Sequence, residues 1–374
     1  MAVPALPLVM RKVSEVIKSK SCPVARWSRM APWCRILMLF AAGVPLVGRA
    51  EAPAFPGATA LYKAWVAARL PGNPEGLAID RDGNMYAGLW QSGALVKLDG
   101  KGGYRTVAVI PSEALGREGI TTGLEFGADG ALYAAFMWHY TPEEELDPKH
   151  PACRNAQDVY TGIYRVDVNT GAVAPFLTKR TGWPGCFPDD IAVDSNGNLY
   201  VTDLTLSGIW KITPAGKYSL WCSDVLLQWP PAPYSSFPEG ANDLVISNDG
   251  TALYVVTDGN PAIVKVPIQK DGSAGTASLI SRDLTMLDGI EKDERGNIYV
   301  SEPYRNEISV FSADGTQRIV IATADTAPIV NPTSLVYRKG ILCVANSGMG
   351  PTAITEPRTV TCLSGFKRPE GEPR

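Results

Sequence analysis

Histidine is nearly absent from this chain: His139 and His150 are the only two among 374 residues. The sequence has no Cys-x-x-Cys pair, which disfavours a zinc knuckle or a thiol redox centre. It also has neither a Gly-x-Ser-x-Gly elbow nor a glycine-rich phosphate loop. Serine-hydrolase and nucleotide chemistry are therefore poorly supported.

A long apolar run is lacking as well. The best candidate, Ile36–Val47, is well short of the roughly 20 apolar residues that a membrane span needs. It follows a basic segment, Met1–Arg35, and is followed by small residues. This order predicts a secretory signal over residues 1–52, with Met30 as a possible true start and an uncleaved N-terminal anchor as the alternative. We therefore expect a secreted or periplasmic protein with no stable membrane span after cleavage.

Basic charge is scarce in the remaining chain. Removing residues 1–52 takes away eight Lys/Arg and two Asp/Glu, which leaves 27 basic and 36 acidic residues and a net charge of about -9. Nucleic-acid binding needs a basic face that neutralises phosphates, so no nucleic-acid partner is expected. The acidic balance favours a cation or a neutral small molecule as ligand, and we expect the protein to act as a monomer.

Cysteines in the mature part are few and odd in number. They are Cys153, Cys186, Cys222, Cys343 and Cys362, so that at least one thiol is left over if disulfides form after export. Cys343 and Cys362 lie on what we expect to be neighbouring strands, and Cys153 and Cys186 bracket one stretch rich in insertions. Both pairings stay open at this point.

A turn-flanked apolar pattern returns six times along the chain. The copies begin at Pro74, Thr121, Pro188, Ala241, Leu287 and Pro332. Each reads as a strand, a glycine-containing turn and a second strand, and two further strands follow before the next copy. Four strands in every 45 to 65 residues are typical of propeller blades.

The repeats predict an all-β protein, a six-bladed β-propeller that forms one domain over residues 53–374. Ala60–Leu70 alternates in polarity and has no partner of its own, so we expect it to supply the outer strand of the last blade and close the ring. Trp221–Pro238 interrupts the period and is rich in Trp, Pro and Tyr. We predict that it forms a wall of a pocket, because loops on one face of a propeller often shape the site.

One register of the repeat carries oxygen-rich side chains. When the copies are aligned, the equivalent residues are Glu75, Thr122, Asp189, Asn242, Asp288 and Thr333. In a propeller this position faces the mouth of the central channel, where the four carboxylate and amide groups would converge. Calcium binds six to eight such oxygens, and a divalent cation would relieve the repulsion between the carboxylates. Turn capping is the alternative role for Asp and Asn at strand ends.

Calcium is therefore the expected cofactor, with Zn²⁺, Mn²⁺ or Mg²⁺ as other divalent candidates. The absence of His and Cys from the register argues against a zinc or copper preference.

At these positions the sequence resembles the senescence marker protein/gluconolactonase/regucalcin-like family of six-bladed propellers, which includes bacterial lactonases and, more distantly, paraoxonases and diisopropylfluorophosphatase. The resemblance spans roughly Pro71–Cys362 and rests on the motifs PEG, PDD, AND and LDG. It implies that Glu75, Asn242 and Asp288 hold a divalent cation. Asp189 stands where the family usually has Asn, and this additional carboxylate is a candidate fourth ligand.

The mechanism that the resemblance implies is metal-assisted hydrolysis of a lactone or related ester, with a carboxylate that accepts a proton from the attacking water. Asp288 is the expected base and Asp189 the alternative. The Arg that grips polyols in the sugar-lactone members has no counterpart, because Phe187 stands near its place; a less polar lactone or ester than gluconolactone is therefore expected.

Three aromatic or imidazole side chains are candidates for substrate binding. They are Trp90, His139 and Tyr304, which lie in segments that could reach the mouth of the channel.

Two other functions remain open from the sequence. The first is a binding module in which the channel cation is structural, and the second is a strictosidine synthase-like enzyme, which does not need this set of ligands. An open coordination position on the cation would favour the hydrolase over the binding module.

Overall fold

The computed structural model describes residues 63–90, 92–110, 119–138, 160–228, 239–282, 284–347 and 358–365. These residues form six antiparallel sheets of four strands. The first described strand is β1 (Lys63–Arg69). Blade 1 consists of β2 (Pro74–Ile79), β3 (Met85–Leu89), β4 (Ala94–Leu98) and β5 (Tyr104–Val109). Blade 2 consists of β6 (Gly119–Phe126), β7 (Leu132–Trp138), β8 (Gly162–Asp167) and β9 (Ala172–Thr178).

The remaining blades repeat this plan. Blade 3 consists of β10 (Pro188–Val193), β11 (Leu199–Asp203), β12 (Gly208–Ile212) and β13 (Tyr218–Cys222), and blade 4 of β14 (Ala241–Ile246), β15 (Ala252–Thr257), β16 (Ala262–Pro267) and β17 (Ser278–Ser281). Blade 5 consists of β18 (Ile290–Lys292), β19 (Ile298–Glu302), β20 (Glu307–Phe311) and β21 (Arg318–Thr323). Blade 6 joins β22 (Pro332–Arg338), β23 (Ile341–Asn346) and β24 (Thr359–Ser364) to β1. Among the described residues, single 3-10 turns lie at Lys179–Thr181, Val225–Leu227 and Pro303–Arg305.

The inner strands close into a ring. Each of β2, β6, β10, β14, β18 and β22 contacts the next, and β22 contacts β2. The outer strand of blade 6 is β1, which pairs antiparallel with β24 from Lys63↔Ser364 to Arg69↔Thr359. The predictions of a six-bladed propeller and of its closure by the segment before the first repeat are both confirmed. Within the described part of the chain, no helix is long and apolar enough to cross a membrane.

The hydrophobic core lies between the blades. Of the seven clusters of buried side chains among the described residues, six are each shared by two neighbouring blades along their strands. Strand β11 shows the cause: Leu199 and Val201 pack toward blade 2, while Tyr200 between them packs toward blade 4. Because successive side chains of a strand point to opposite faces, a strand that is apolar at every position is buried on both sides.

The inner strands are irregular at the register where the oxygen-rich side chains stand. The pairing with the second strand shifts between Pro74 and Leu77 in β2, and between Pro188 and Ile191 in β10. The same shift occurs in β6, β14 and β22, while in blade 5 the regular ladder begins at Ile290, after Asp288. A bulge of this kind redirects side chains and is common beside functional sites.

Cys343 and Cys362 form a disulfide between β23 and β24. The expectation that they lie on neighbouring strands is therefore confirmed, and so is the leftover thiol, since Cys222 is free and buried. Cys186 is also disulfide-bonded. Its suggested partner, Cys153, lies outside the described residues, as do the predicted signal over residues 1–52 and His139.

Loss of the cross-link between β23 and β24 is expected to destabilise the blade that closes the ring. The disulfide closes a loop of 19 residues, and replacing both cysteines by Ser should lower the free energy of unfolding by about 3 kcal/mol. Denaturant unfolding measures this change. Cys222→Ser makes the same chemical change at a thiol without a disulfide and is the control; a double variant no less stable than this control would contradict the prediction.

Candidate metal centre

Four predicted ligands come together at one end of the ring, where the inner strands begin. Asp189, Asn242 and Asp288 are 7%, 5% and 8% exposed. The Oε2 atom of Glu75 is buried. Glu75, Asp189 and Asn242 stand at the bulge of their inner strands, and Asp288 stands just before the ladder of β18 begins. Blades 1, 3, 4 and 5 thus each contribute one oxygen-bearing group to the same end of the channel.

The two threonines at this register have another role. The Thr122 hydroxyl donates to the carbonyl of Pro188 in the next blade (3.0 Å), and the Thr333 hydroxyl donates to the carbonyl of Glu75 (3.3 Å). Both hydrogen bonds join the inner strand of one blade to that of its neighbour. The threonines therefore link the ring and hold the backbone beside two of the predicted ligands.

Glycine follows the register position where adjacent inner strands approach most closely. A Cβ atom at Gly76 or Gly289 would collide with the carbonyl of Thr122 or Thr333, each in the next blade. The glycines of the PEG and LDG motifs are thus required by the packing of one inner strand on the next.

The acids at this end interact strongly. Burial raises the pKa of Glu75 well above its usual range, and the charges of Asp288 and Asp189 raise it further. The pKa of Asp189 is likewise raised, first by burial and then by Asp288 and Asp190. Burial, with Asp190 and Glu239, raises the pKa of Asp288 to about 7. Such shifts are what like charges in a common low-dielectric site produce.

Two of the predicted ligands carry oxygens without a partner. Glu75 Oε2 and Asn242 Oδ1 are buried and accept no hydrogen bond. Because neither oxygen accepts a hydrogen bond, neither caps a turn, which was the alternative role for Asp and Asn at strand ends. A buried polar atom without a partner costs free energy. Both are free to bind a cation, and the set of carboxylates with one amide suits a hard cation such as calcium.

The arrangement is a convergence of donors rather than a cluster of acids in ligand contact. Among the described residues, no three His, Cys, Asp or Glu side chains are close enough together to form a metal site by themselves. The predicted set is instead completed by the amide of Asn242, which supplies one of the four donors.

Two further acids lie at the mouth and were missed by the sequence analysis. Asp258, which is 5% exposed, follows β15 and accepts a hydrogen bond from the side chain of Asn242. This bond engages the amide nitrogen and leaves Asn242 Oδ1 available. Glu239 raises the pKa of Asp258 and also those of Asp189 and Asp288, so it lies close to all three.

Two of the three predicted substrate-binding residues, Tyr304 and Trp90, are described by the structure. Tyr304 is 50% exposed in the 3-10 turn after β19, where burial and the charges of Glu239, Asp258 and Asp288 raise its pKa. Trp90 follows β3 at the same end, donates its backbone N–H to the carbonyl of Asn73 (2.8 Å) and packs on a buried cluster that contains Phe187. His139 lies outside the described residues.

The prediction that Trp221–Pro238 forms a wall of a pocket is wrong for Trp221. Trp221 lies on β13, the outer strand of blade 3, and packs edge-to-face on Tyr200 with ring centroids 5.0 Å apart. Its indole N–H donates to the carbonyl of Gly272 (2.9 Å). Trp221 thus packs against blade 4, far out on the blade; residues 229–238 of the segment lie outside the described chain.

The channel continues below the site. A cavity of about 220 Å³ is lined by the inner strands of all six blades and includes Asp190 and Asp243. A second cavity of about 420 Å³ lies toward the hairpin turns at the other end, and Glu125 lines both. Burial, Glu291 and Asp190 raise the pKa of Glu125 to about 8. The acidic character of the mouth therefore extends along the channel.

Comparison with protein families gives a match to the SMP-30/Gluconolactonase/LRE-like region over residues 158–341. This stretch contains Asp189, Asn242 and Asp288, but not Glu75. Among curated proteins, no sequence matches significantly.

Solved structures share the fold at low identity. A gluconolactonase from Xanthomonas campestris is 15% identical, with 81% of this chain and 89% of that chain covered and a TM-score of 0.59. A calcium-binding regucalcin from Agrobacterium tumefaciens is 17% identical, with 81% and 93% covered and a TM-score of 0.58. An auxiliary nutrient binding protein from Bacteroides ovatus is 13% identical, with 81% and 76% covered and a TM-score of 0.58. At these identities the likeness establishes a common propeller architecture, which is found in hydrolases and in binding proteins.

Proposed function

Since this chain contains the SMP-30/Gluconolactonase/LRE-like region at residues 158–341 on a six-bladed propeller, we propose that it is a lactonase-type hydrolase that depends on a divalent cation. Its substrates would be lactones or related esters. The observation that carries this proposal is the pair of buried oxygens without partners, Glu75 Oε2 and Asn242 Oδ1, beside the mutually repelling carboxylates of Asp189 and Asp288.

Glu75, Asp189, Asn242 and Asp288 would hold the cation, and calcium is the best fit to these donors. A divalent cation at this position polarises the carbonyl of a bound ester and stabilises the oxyanion that develops on it. The protein contributes the placement of the donors through the bulged strand ends, and the Asp258 hydrogen bond keeps the Asn242 oxygen turned toward the other ligands.

A carboxylate of the same set would accept the proton of the attacking water. Asp288 is our choice, because it lies near the half-exposed Tyr304 at the open mouth. Its raised pKa, about 7, also matches the requirement of a general base at neutral pH. Asp189 is the alternative, but burial and the charges of Asp288, Asp190 and Asp203 favour its protonated form.

The surroundings favour a neutral substrate with an apolar portion. Phe187 immediately precedes the Pro188–Asp189 step and belongs to a buried apolar cluster with Ile120, Met137 and Leu204. Glu239 and Asp258 would repel an anionic substrate. Trp90 would contribute to the apolar side of the mouth and Tyr304 to its polar side, and His139 remains a candidate contact.

We also propose that the protein is exported to the periplasm or secreted, and that it acts there as a monomer. The disulfide between Cys343 and Cys362 and the bonded state of Cys186 support this location, because disulfides persist in oxidising compartments.

The direct test is hydrolysis of a panel of lactones and aryl esters by the mature protein, with and without chelator. We expect turnover that the chelator abolishes and calcium restores. If the folded protein hydrolyses no member of the panel while chelation still lowers its melting temperature, the cation is structural, and a binding function takes the place of the hydrolase. Turnover that is insensitive to chelation would contradict the role of the cation.

A further inference from the structure

The second strand of a blade ends at the level of the candidate metal centre, and the residue there differs between blades. The residue opposite the one that precedes the register position is Leu89 in blade 1, Phe136 in blade 2, Asp203 in blade 3, Thr257 in blade 4 and Asn346 in blade 6. In blade 5, Glu302 ends the second strand, β19, as Asp203 ends β11 in blade 3. Carboxylates occur in blades 3 and 5, the two blades that present an aspartate to the centre. Since blades 1 and 2 form with apolar residues at this place, the blade fold itself does not require a charge.

Asp203 is completely buried and accepts four hydrogen bonds. Its Oδ2 atom accepts from the backbone N–H of Cys186 (2.8 Å) and from the indole of Trp210 (3.1 Å). Its Oδ1 atom accepts from the backbone N–H groups of Phe187 (3.1 Å) and Leu206 (3.0 Å). Cys186 and Phe187 directly precede Pro188 and Asp189, so the carboxylate fixes the backbone that leads into the predicted ligand.

Glu302 does the same in blade 5. It is also completely buried, and its Oε2 atom accepts from the N–H (3.3 Å) and the hydroxyl (3.0 Å) of Thr285, three residues before Asp288. Its Oε1 atom accepts from Ser309 (3.1 Å) and is paired with Arg318. The Oε2 atom also lies 3.6 Å from Nη1 of Arg305. The buried charge is thus compensated by two arginines, and Oε2 in addition holds the loop that leads to Asp288.

We propose that Asp203 and Glu302 are positioning residues for the metal centre, which set the placement of Asp189 and Asp288 through the loops before them. An aspartate carboxylate is joined to the backbone by one methylene, so where its oxygens lie depends on where the backbone is held. Glu75 has a longer side chain and no such acid behind it, and Asn242 is held directly by Asp258. This inference rests on the proposed cation site.

Asn346 supplies a matched control. Its Oδ1 atom accepts from the N–H of Val330 (3.1 Å), and its amide donates to the carbonyl of Pro328 (3.2 Å), so it holds the loop before Thr333 in the same way. Thr333 is not a predicted ligand, and its hydroxyl donates to the backbone carbonyl of Glu75, whose longer side chain can adjust to a small shift of the backbone. Replacing Asn346 removes a buried hydrogen-bonding side chain at the same place in the fold without touching the loops that lead to Asp189 and Asp288.

The test is calcium affinity, measured by titration calorimetry on the folded full-length mature protein, beside thermal unfolding in chelator. Asp203→Asn loses acceptors for two of the four donors, and Glu302→Gln weakens the hold on Thr285; each should weaken calcium binding at least about tenfold, which is typical when groups that orient metal ligands are removed. Asn346→Ala should lower the melting temperature and leave the affinity within about twofold of the wild type. At saturating calcium, both positioning variants should regain most of their kcat.

The outcomes separate two kinds of failure. If the wild type binds no calcium, the proposed function itself is wrong. If the wild type binds calcium and the Asp203 and Glu302 variants are merely less stable, with unchanged affinity, the two carboxylates are structural and this inference is overturned. If Asp203→Asn does not fold, Trp210→Phe removes one of the four donors and keeps the carboxylate; it should weaken calcium binding a few-fold, and an unchanged affinity would likewise overturn the inference.

Discussion

Replacing Asp288 by Asn is expected to lower kcat/KM toward the best lactone or ester substrate by about 10³-fold, within the range that a general base contributes. The substitution keeps the shape of the side chain and removes the group that we propose accepts the proton of water. It also removes a charged ligand, so the assay is run at saturating calcium. Asp189→Asn removes the other candidate base in the same way and should cost much less.

Asp314→Asn is the control for this experiment. Asp314 lies in the same blade, where it accepts hydrogen bonds from Ser312 (2.6 Å) and from the backbone of Thr316 (3.0 Å) in an exposed turn. Its substitution should leave kcat/KM unchanged. If Asp288→Asn retains most of its activity while Asp189→Asn loses it, the base is Asp189.

The calcium-free protein is expected to lose stability as the pH rises from about 5 to 8, because several buried carboxyl groups must ionise in the folded state over this range. The pKa values of Asp288 and Asp190 are raised to about 7 and that of Glu125 to about 8, in each case chiefly by burial. A carboxyl group whose pKa is higher in the folded state contributes stability below its unfolded pKa, and this stability disappears as the pH passes the folded pKa. The turn carboxylates Asp249 and Asp314, with pKa values lowered to about 2, titrate below this window.

Calcium should flatten this profile, because a divalent cation compensates the ionised carboxylates. Melting temperatures at pH 5, 6, 7 and 8, in chelator and in excess calcium, give the two curves. Glu75→Gln removes one negative charge from the centre and should raise the melting temperature of the chelated protein at pH 8, with little change at pH 5. A chelated profile that does not fall with pH would contradict both the raised pKa values and the site that they describe.

The repeat in the sequence was sufficient to predict the ring. Its period predicted six blades, the unpaired Ala60–Leu70 segment predicted the closing strand, and one aligned register supplied the four candidate donors of the metal centre. These features follow from alternation and turn chemistry, which are local properties of the chain. The repeat also predicted that Cys343 and Cys362 lie on neighbouring strands of the last blade.

The surroundings of the centre could not be predicted in the same way. The bulges that redirect Asp189 and Asn242 depend on how one inner strand packs on the next, and no local pattern reports that packing. Trp221 was misplaced because aromatic composition does not distinguish an interblade contact from a pocket wall. The sequence does carry a signal for Asp203 and Glu302, since YVTD and YVSE end equivalent strands. This signal lies at the end of the second strand of the repeat, whereas the predicted ligands lie at the start of the first strand.

The pairing of β1 with β24 also determines when the propeller can complete its folding. The first strand of the ring to be synthesised finds its partner in the last one, because Lys63 pairs with Ser364. Until β24 has left the ribosome, β1 has no sheet to join and the ring has an open gap with unpaired strand edges. Five blades can assemble progressively, but the sixth requires β1 and β24 to meet. These strands are far apart in the sequence, and bringing such distant segments together is slow. A stalled or shortened chain would therefore have intact early blades and an exposed, aggregation-prone seam.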